Sequence, residues 1–163
     1  VRQQRCAPSF NAPGTGVCSV ALQPGSGRGA GGSGLVAIGC ADGSTLLADT
    51  ATGTIRRRLA FHAHEVRSLD FSRDGAHLLT SSFDGAVAAW RVDAGDAGDA
   101  GDGRPITSVL DAHRNKILQL RTLPMRSSRK VPPGSFVSSD ASGVVTMWRP
   151  MERVGRGGVF GAF

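Results

Sequence analysis

Two stretches decide the fold: Ser82-Phe-Asp-Gly-Ala-Val-Ala-Ala-Trp-Arg-Val92 and Asp140-Ala-Ser-Gly-Val-Val-Thr-Met-Trp-Arg-Pro150. They align without a gap. Each opens on a polar turn with a glycine (Gly85, Gly143), continues in alternating residues, and reaches a tryptophan five residues after that glycine (Trp90, Trp148), followed by arginine. A degenerate third copy, ADGSTLLADTATG at 41–53, carries Ala48 in the tryptophan place. Recurrence of this kind is the mark of a repeat architecture, in which one supersecondary unit stacks on the next to bury a face that it cannot bury alone.

Working outward from the middle copy, EVRSLDF, the turn Ser72-Arg73-Asp74-Gly75, HLLTSS, the turn Phe83-Asp84-Gly85 and AVAAWRV read as short strands separated by turn signals. This predicts an antiparallel meander. The apolar period is two, and no 12-residue window carries a helical stripe, so almost no helix is expected. Composition agrees: 23 glycines and 8 prolines among 163 residues, no tyrosine and 40% hydrophobic residues suit short strands and many turns around a packed core.

Three stretches interrupt the pattern. Residues 25–34 (GSGRGAGGSG), 93–104 (DAGDAGDAGDGR) and 124–134 (PMRSSRKVPPG) are too poor in large apolar side chains to bury surface, and each falls where a loop between strands belongs. Residues 1–14 are expected to be a disordered N-terminal segment, and 151–163 an Arg/Gly-rich tail that offers Val154, Val159 and Phe160 for a poor outer strand but is expected to fray.

The other class signals are mostly exclusions. Apolar runs such as LVAI at 35–38 fall far below the roughly 18 residues of a membrane-spanning helix. The start has no apolar segment behind its basic residues, so it does not read as a secretory signal, and the chain is expected to be intracellular, in cytoplasm, nucleus or nucleolus. Cys6, Cys18 and Cys40 make neither a disulfide framework nor a zinc knuckle. The net charge of +6 favours association with nucleic acid or acidic proteins, but the basic residues lack the interleaved aromatics of a base-stacking platform.

At these residues the sequence resembles the WD40 repeat family of β-propellers, over roughly residues 15–150. The resemblance implies an all-β fold of about three four-stranded antiparallel blades, at approximately 15–61, 65–110 and 114–150, forming an incomplete propeller. In that family each blade is tied by a histidine in the loop before strand a, a Ser or Thr on strand b, an Asp in the b–c turn and a Trp on strand c. Carried over, the middle repeat supplies His62, Thr80, Asp84 and Trp90. Spacing selects His62 over His64, because it stands four residues before Val66 as His113 stands four before Ile117. The chemistry is coherent: an indole N–H needs an acceptor when buried, a hydroxyl can accept it and donate onward, and an imidazole can link that hydroxyl to a carboxylate.

The next repeat offers a partial set, His113, Ser138 and Trp148, with Ser142 where the family has Asp; the first has Asp42 with Ile38 and Ala48, and is expected to hold by packing. No catalytic residue, cofactor or metal is expected: His62, Thr80 and Asp84 read as a structural chain rather than a hydrolase triad, His62-x-His64 leaves a metal short of ligands, and GSGRGAGGSG does not follow a strand and open a helix. The resemblance implies a non-enzymatic scaffold that binds other proteins through its loop face and rim, with His64, Glu65, Arg67, Phe83, Arg114 and Lys116 as partner-binding candidates. A second function class is an RNA- or preribosome-associated assembly factor, because DAHRNKILQL and FVSSDASGVVTMWRP are similar to the last blade of the WD40 proteins that inhibit p21-activated kinase and act in maturation of the large ribosomal subunit. Three blades leave faces to be covered by self-association or by blades from a longer chain.

Overall fold

The computed structural model describes residues 15–25, 34–92, 105–123, 132, 134–151 and 159–162. The N-terminal segment 1–14 and nearly all of the three insertions lie outside the described residues. Twelve strands form three antiparallel four-stranded sheets, each a simple meander. Blade 1 comprises β1 (Val17–Leu22), β2 (Leu35–Cys40), β3 (Ser44–Asp49) and β4 (Ile55–Ala60). Blade 2 comprises β5 (Val66–Phe71), β6 (His77–Ser82), β7 (Val87–Arg91) and β8 (Thr107–Val109). Blade 3 comprises β9 (Ile117–Thr122), β10 (Phe136–Asp140), β11 (Val145–Met151) and β12 (Val159–Ala162). The described residues contain no helix.

Period-two patterning explains how the sheets stack, because a middle blade must bury both of its faces. On one face of blade 2, Leu78, Ala88 and Trp90 join Val66, Leu69 and Phe71 against Ala37, Leu47 and Leu59 of blade 1. On the other, Leu79, Val87 and Ala89 meet Ile117, Leu120, Phe136 and Trp148 of blade 3. That is why β6 and β7 read as near-continuous apolar or small residues rather than as apolar-polar alternation.

The first strands of neighbouring blades lie side by side, β1 with β5 and β5 with β9. Polar side chains stitch them. Ser19 Oγ donates to the Val66 carbonyl at 2.7 Å, Ser68 Oγ both accepts from Leu120 N at 3.0 Å and donates to its carbonyl at 3.2 Å, and Asp70 Oδ2 accepts from Thr122 N and Oγ1, each at 2.9 Å. Leu69 and Phe71 share the apolar layer of Val66, although simple alternation from Val66 would turn them to the opposite face. A register shift between Val66 and Ser68 accounts for it, and equivalent shifts occur between Val17 and Ser19 and opposite Ser139–Asp140. A bulge of this kind re-aims the extra residue, here Arg67, out of the ladder.

Two features depart from the sequence reading. The tail expected to fray contributes β12, whose Val159–Ala162 pairs with Trp148–Met151 and so gives β11 a partner along a backbone edge otherwise left bare. The two flanking faces also differ: on blade 1 the outward residues Val36, Ile38, Cys40, Leu46 and Ala48 form a buried cluster, whereas on blade 3 Val145 is 71% and Met147 38% exposed.

Candidate functional site

The loop before β5 places the His62 ring inside blade 2. Its Nε2 lies 2.9 Å from Thr80 Oγ1, its Nδ1 lies 3.1 Å from Asp84 Oδ2, and Trp90 Nε1 donates to Thr80 Oγ1 at 3.0 Å. A carboxylate only accepts and an indole N–H only donates. With the His62 proton on Nδ1, the chain runs in one direction: indole to hydroxyl to imidazole, and imidazole to carboxylate. Asp84 also accepts from the amides of Ala63 at 3.0 Å and Ala86 at 2.8 Å, tying loop and turn together. Phe61 packs edge-on against both the His62 and Trp90 rings.

Blade 3 repeats the chain and corrects the expectation that it lacks a carboxylate. His113 Nε2 lies 2.7 Å from Ser138 Oγ, Trp148 Nε1 donates to that hydroxyl at 2.8 Å, and His113 Nδ1 lies 3.0 Å from Asp140 Oδ2. The carboxylate stands two residues earlier than the family pattern puts it. Ser82 and Asp84 of blade 2 are replaced by Asp140 and Ser142 in blade 3, so serine and aspartate have exchanged places within one turn. From the earlier position Asp140 Oδ1 still accepts the turn amides of Ser142 at 2.9 Å and Val144 at 3.0 Å and the Ser142 hydroxyl at 2.7 Å, which leaves Oδ2 for the imidazole. The signal available in sequence was the aspartate at the first place of the DASG turn, a residue type that binds backbone amides two residues on.

Blade 1 keeps only Asp42, which accepts from Ser44 N and Oγ and pairs with Arg58 at 2.7 Å. That pair is solvent-exposed and contributes about 0–1 kcal/mol, so the apolar packing of Ile38 and Ala48 carries this blade. Among the described residues no side-chain nitrogen or oxygen is buried without a hydrogen-bond partner.

The turn glycines show how blades register. A Cβ on Gly85, whose φ is +78°, would meet the His113 carbonyl at 2.5 Å, and His113 N donates to the Gly85 carbonyl at 3.1 Å. Gly43 of blade 1 abuts the His62 carbonyl in the same way, while a Cβ on Gly143 would meet nothing within 4 Å. Each histidine loop is therefore seated against the b–c turn of the preceding blade.

Asp84 and Asp140 are both held below the ordinary carboxylate value of 3.8. For Asp84, burial opposes ionisation but is outweighed by the His62 hydrogen bond together with the Ala86 and Ala63 amides. For Asp140 the Ser142 hydroxyl is the largest cause, with burial opposing and the Val144 amide and His113 adding, and the carboxyl is brought down to about 2. A folded-state pKa below the unfolded one gives stability that is present above the unfolded value and is lost as pH falls through the folded one. The stability that these two carboxylates contribute is therefore expected to be fully present above about pH 4 and to be lost between about pH 4 and 2, the loss over that range being shallower in Asp140→Asn. An unchanged acid limb in that variant would contradict the Asp140 assignment.

A second expectation follows from the exchanged pair. Asp140→Ser should lower the melting temperature, and adding Ser142→Asp, which rebuilds the blade 2 arrangement, should recover part of the loss. Melting the double variant no higher than the single one would show that the two positions are not interchangeable.

Of the partner-binding candidates, three are brought together. The Arg67 guanidinium lies 5.5 Å and the Lys116 ammonium 4.9 Å from the centre of the Phe83 ring. Phe83 is half-buried and both cations are exposed. His64 and Arg114 are exposed and stand apart from this cluster; His64 contributes its carbonyl to Ser82 Oγ at 2.8 Å, and half-buried Glu65 contributes its carbonyl to Phe83 N at 3.2 Å. Among the described residues no group of three or more His, Cys, Asp and Glu is placed to hold a metal ion.

Stacked four-stranded antiparallel meanders, each latched by a loop histidine, define a run of β-propeller blades. Comparison with known proteins agrees with that architecture. The family described as "WD domain, G-beta repeat" matches residues 53–91, which run from before β4 through β7. The chain is similar to the retinoblastoma-binding protein homolog 5 of Caenorhabditis elegans, 46% identical over 61 residues covering 37% of this chain and 13% of that protein. It is also similar to the U3 small nucleolar RNA-associated protein 21 homolog of Schizosaccharomyces pombe, 38% identical over 63 residues covering 39% of this chain and 7% of that one. The chain thus matches only a small part of these relatives' length. Among solved structures, the β-propeller domain of Myceliophteria thermophila Cps50 (Swd1) superposes with a TM-score of 0.65 at 19% identity, covering 90% of this chain and 37% of that one. Chaetomium thermophilum Sqt1, bound to the N-terminus of ribosomal protein L10, superposes with a TM-score of 0.64 at 23% identity, covering 82% and 31%.

Proposed function

We propose that this chain is a non-enzymatic protein-interaction module of a larger intracellular assembly, presenting its histidine loops and b–c turns to a partner. The observation that carries the reading is the Arg67, Phe83 and Lys116 cluster, an aromatic ring and two cations from two blades gathered at one edge of a rigid frame. Loops held on a rigid scaffold are where recognition residues concentrate, and aromatic and arginine side chains dominate binding energy at interfaces. The histidine chains fit a structural role, since each hydroxyl is engaged on both sides and the rings are buried. The exposed outward face of blade 3, with Val145 and Met147, is suited to covering by a further blade or by a second copy.

The second reading, association with RNA or a preribosomal particle, is favoured by the +6 charge and by similarity to a U3 small nucleolar RNA-associated protein. One experiment separates the two. A photo-crosslinking phenylalanine analogue at position 83, in cells, is expected to yield protein adducts that survive nuclease. Adducts that vanish with nuclease would favour RNA, and none at all would remove this edge from the interface.

A further inference from the structure

The seam between blades 2 and 3 has a chemistry specific enough to name the partner's side chains. Arg67 is the bulged residue of β5, Phe83 belongs to the β6–β7 turn, and Lys116 to the loop entering β9. Their backbones are fixed by bonds that have nothing to do with the side chains: Phe83 N to the Glu65 carbonyl at 3.2 Å, Ala141 N to the Lys116 carbonyl at 3.0 Å, Lys116 N to Asn115 Oδ1 at 2.8 Å, and His113 N to the Gly85 carbonyl at 3.1 Å. The turn that carries the ring is therefore anchored, and two cations from neighbouring elements lie against that one ring. Cation–π attraction draws on the face of each charged group and leaves outward N–H donors to bind elsewhere. Among the described residues neither Arg67 nor Lys116 makes an ion pair, and Glu65, two residues before Arg67, pairs with neither.

We infer that the Arg67, Phe83 and Lys116 seam is a recognition site for an acidic peptide segment, whose carboxylates bind the two cations at the edge of the Phe83 ring. This rests on the protein-interaction reading and adds the chemistry of the partner. Two cations each held within 5.5 Å of one ring centre accept carboxylates with less ordering of their side chains, which lowers the entropic cost of binding. Nucleic acid fits less well. Sequence-tolerant nucleic-acid binding needs successive exposed rings on which bases stack, whereas among the described residues Trp90, Trp148, Phe71 and Phe136 are buried, Phe61 is packed on His62 and Trp90, and the Phe83 ring already carries the two cations.

Fluorescence anisotropy at about 150 mM salt tests it with three probes: a labelled (Ser-Glu)4 peptide, its (Ser-Gln)4 counterpart and a twelve-nucleotide oligo-U. The acidic peptide is expected to bind and the amide peptide not to. Arg67→Gln with Lys116→Gln should weaken the acidic peptide by about tenfold or more, whereas the charge-matched pair Arg57→Gln with Arg73→Gln, outside the seam, should change it less than about twofold. Phe83→Leu, which keeps an apolar side chain and removes the platform, should weaken it several-fold with both cations present. Equal losses from the two charge-matched pairs, no binding of the acidic peptide, or tighter seam-dependent binding of oligo-U would each overturn the assignment. Protein crosslinks at position 83 alongside a failed acidic-peptide assay would reject this chemistry while leaving the interaction module standing.

Discussion

Trp90→Ala is expected to lower folding stability by about 3–5 kcal/mol, the range for truncating a fully buried large aromatic side chain. Two losses add. The indole is 2% exposed at the centre of the apolar layer between blades 1 and 2, among Leu47, Leu59, Leu69 and Leu78, so its removal opens a cavity that the rigid strands cannot close. It also takes away the donor at the head of the histidine chain. Trp90→Phe separates these effects: it keeps most of the apolar area and removes only the N–H, and since Thr80 retains its contact with His62, the cost should be about 1 kcal/mol beyond the lost volume. Equilibrium denaturation of both variants provides the comparison. Equal, small losses in both would mean that Trp90 is not in the core at all.

Gly85→Ala is expected to cost about 3 kcal/mol, a large loss for a position outside the apolar layers. A left-handed backbone costs an alanine about 1–2 kcal/mol, and overpacking adds about 1–3 kcal/mol because the new Cβ would sit 2.5 Å from the His113 carbonyl. Gly143→Ala is the internal control. Its φ of +89° carries the same backbone penalty, but nothing lies within 4 Å of the new Cβ, so about 1–2 kcal/mol is expected. The difference between the two substitutions measures how firmly the third blade's histidine loop is seated on the second blade. Identical losses would mean that this seating contributes nothing to stability.

Much of this arrangement was legible in the residues, because the constraints that create it are local. The glycine-to-tryptophan spacing follows from a tight turn feeding a strand whose fourth residue faces the buried hydroxyl, and the four-residue step from histidine to the first strand follows from the length of the latch. Asp140 was harder to find, because the chemistry requires only a carboxylate that can cap the turn and reach the imidazole, and two positions satisfy that. Reading the family pattern by position rather than by reach put Ser142 in its place. The bulge at Arg67 was hidden for a different reason: it depends on the pairing of β5 with β6 and of Ser68 with the neighbouring blade, neither of which is encoded in β5 alone. That bulge brings Arg67 over Phe83, and so separates the clustered candidates from His64 and Arg114, which stand equally near in sequence. β12 was placed second to a frayed tail because a glycine-rich segment has little strand propensity of its own, and its backbone is recruited by the open edge of β11.

Each histidine loop is held by an unbroken indole, hydroxyl, imidazole and carboxylate chain inside its blade. The chain contains only two tryptophans, so hydrogen exchange of the two indole N–H protons, followed by NMR, tests this most directly. Both protons should be strongly protected, and Thr80→Val should speed exchange at Trp90 while leaving Trp148 protected, with Ser138→Ala doing the reverse. Indole protons that exchange at solvent rates in the unaltered protein, or that ignore the loss of their hydroxyl, would contradict the account.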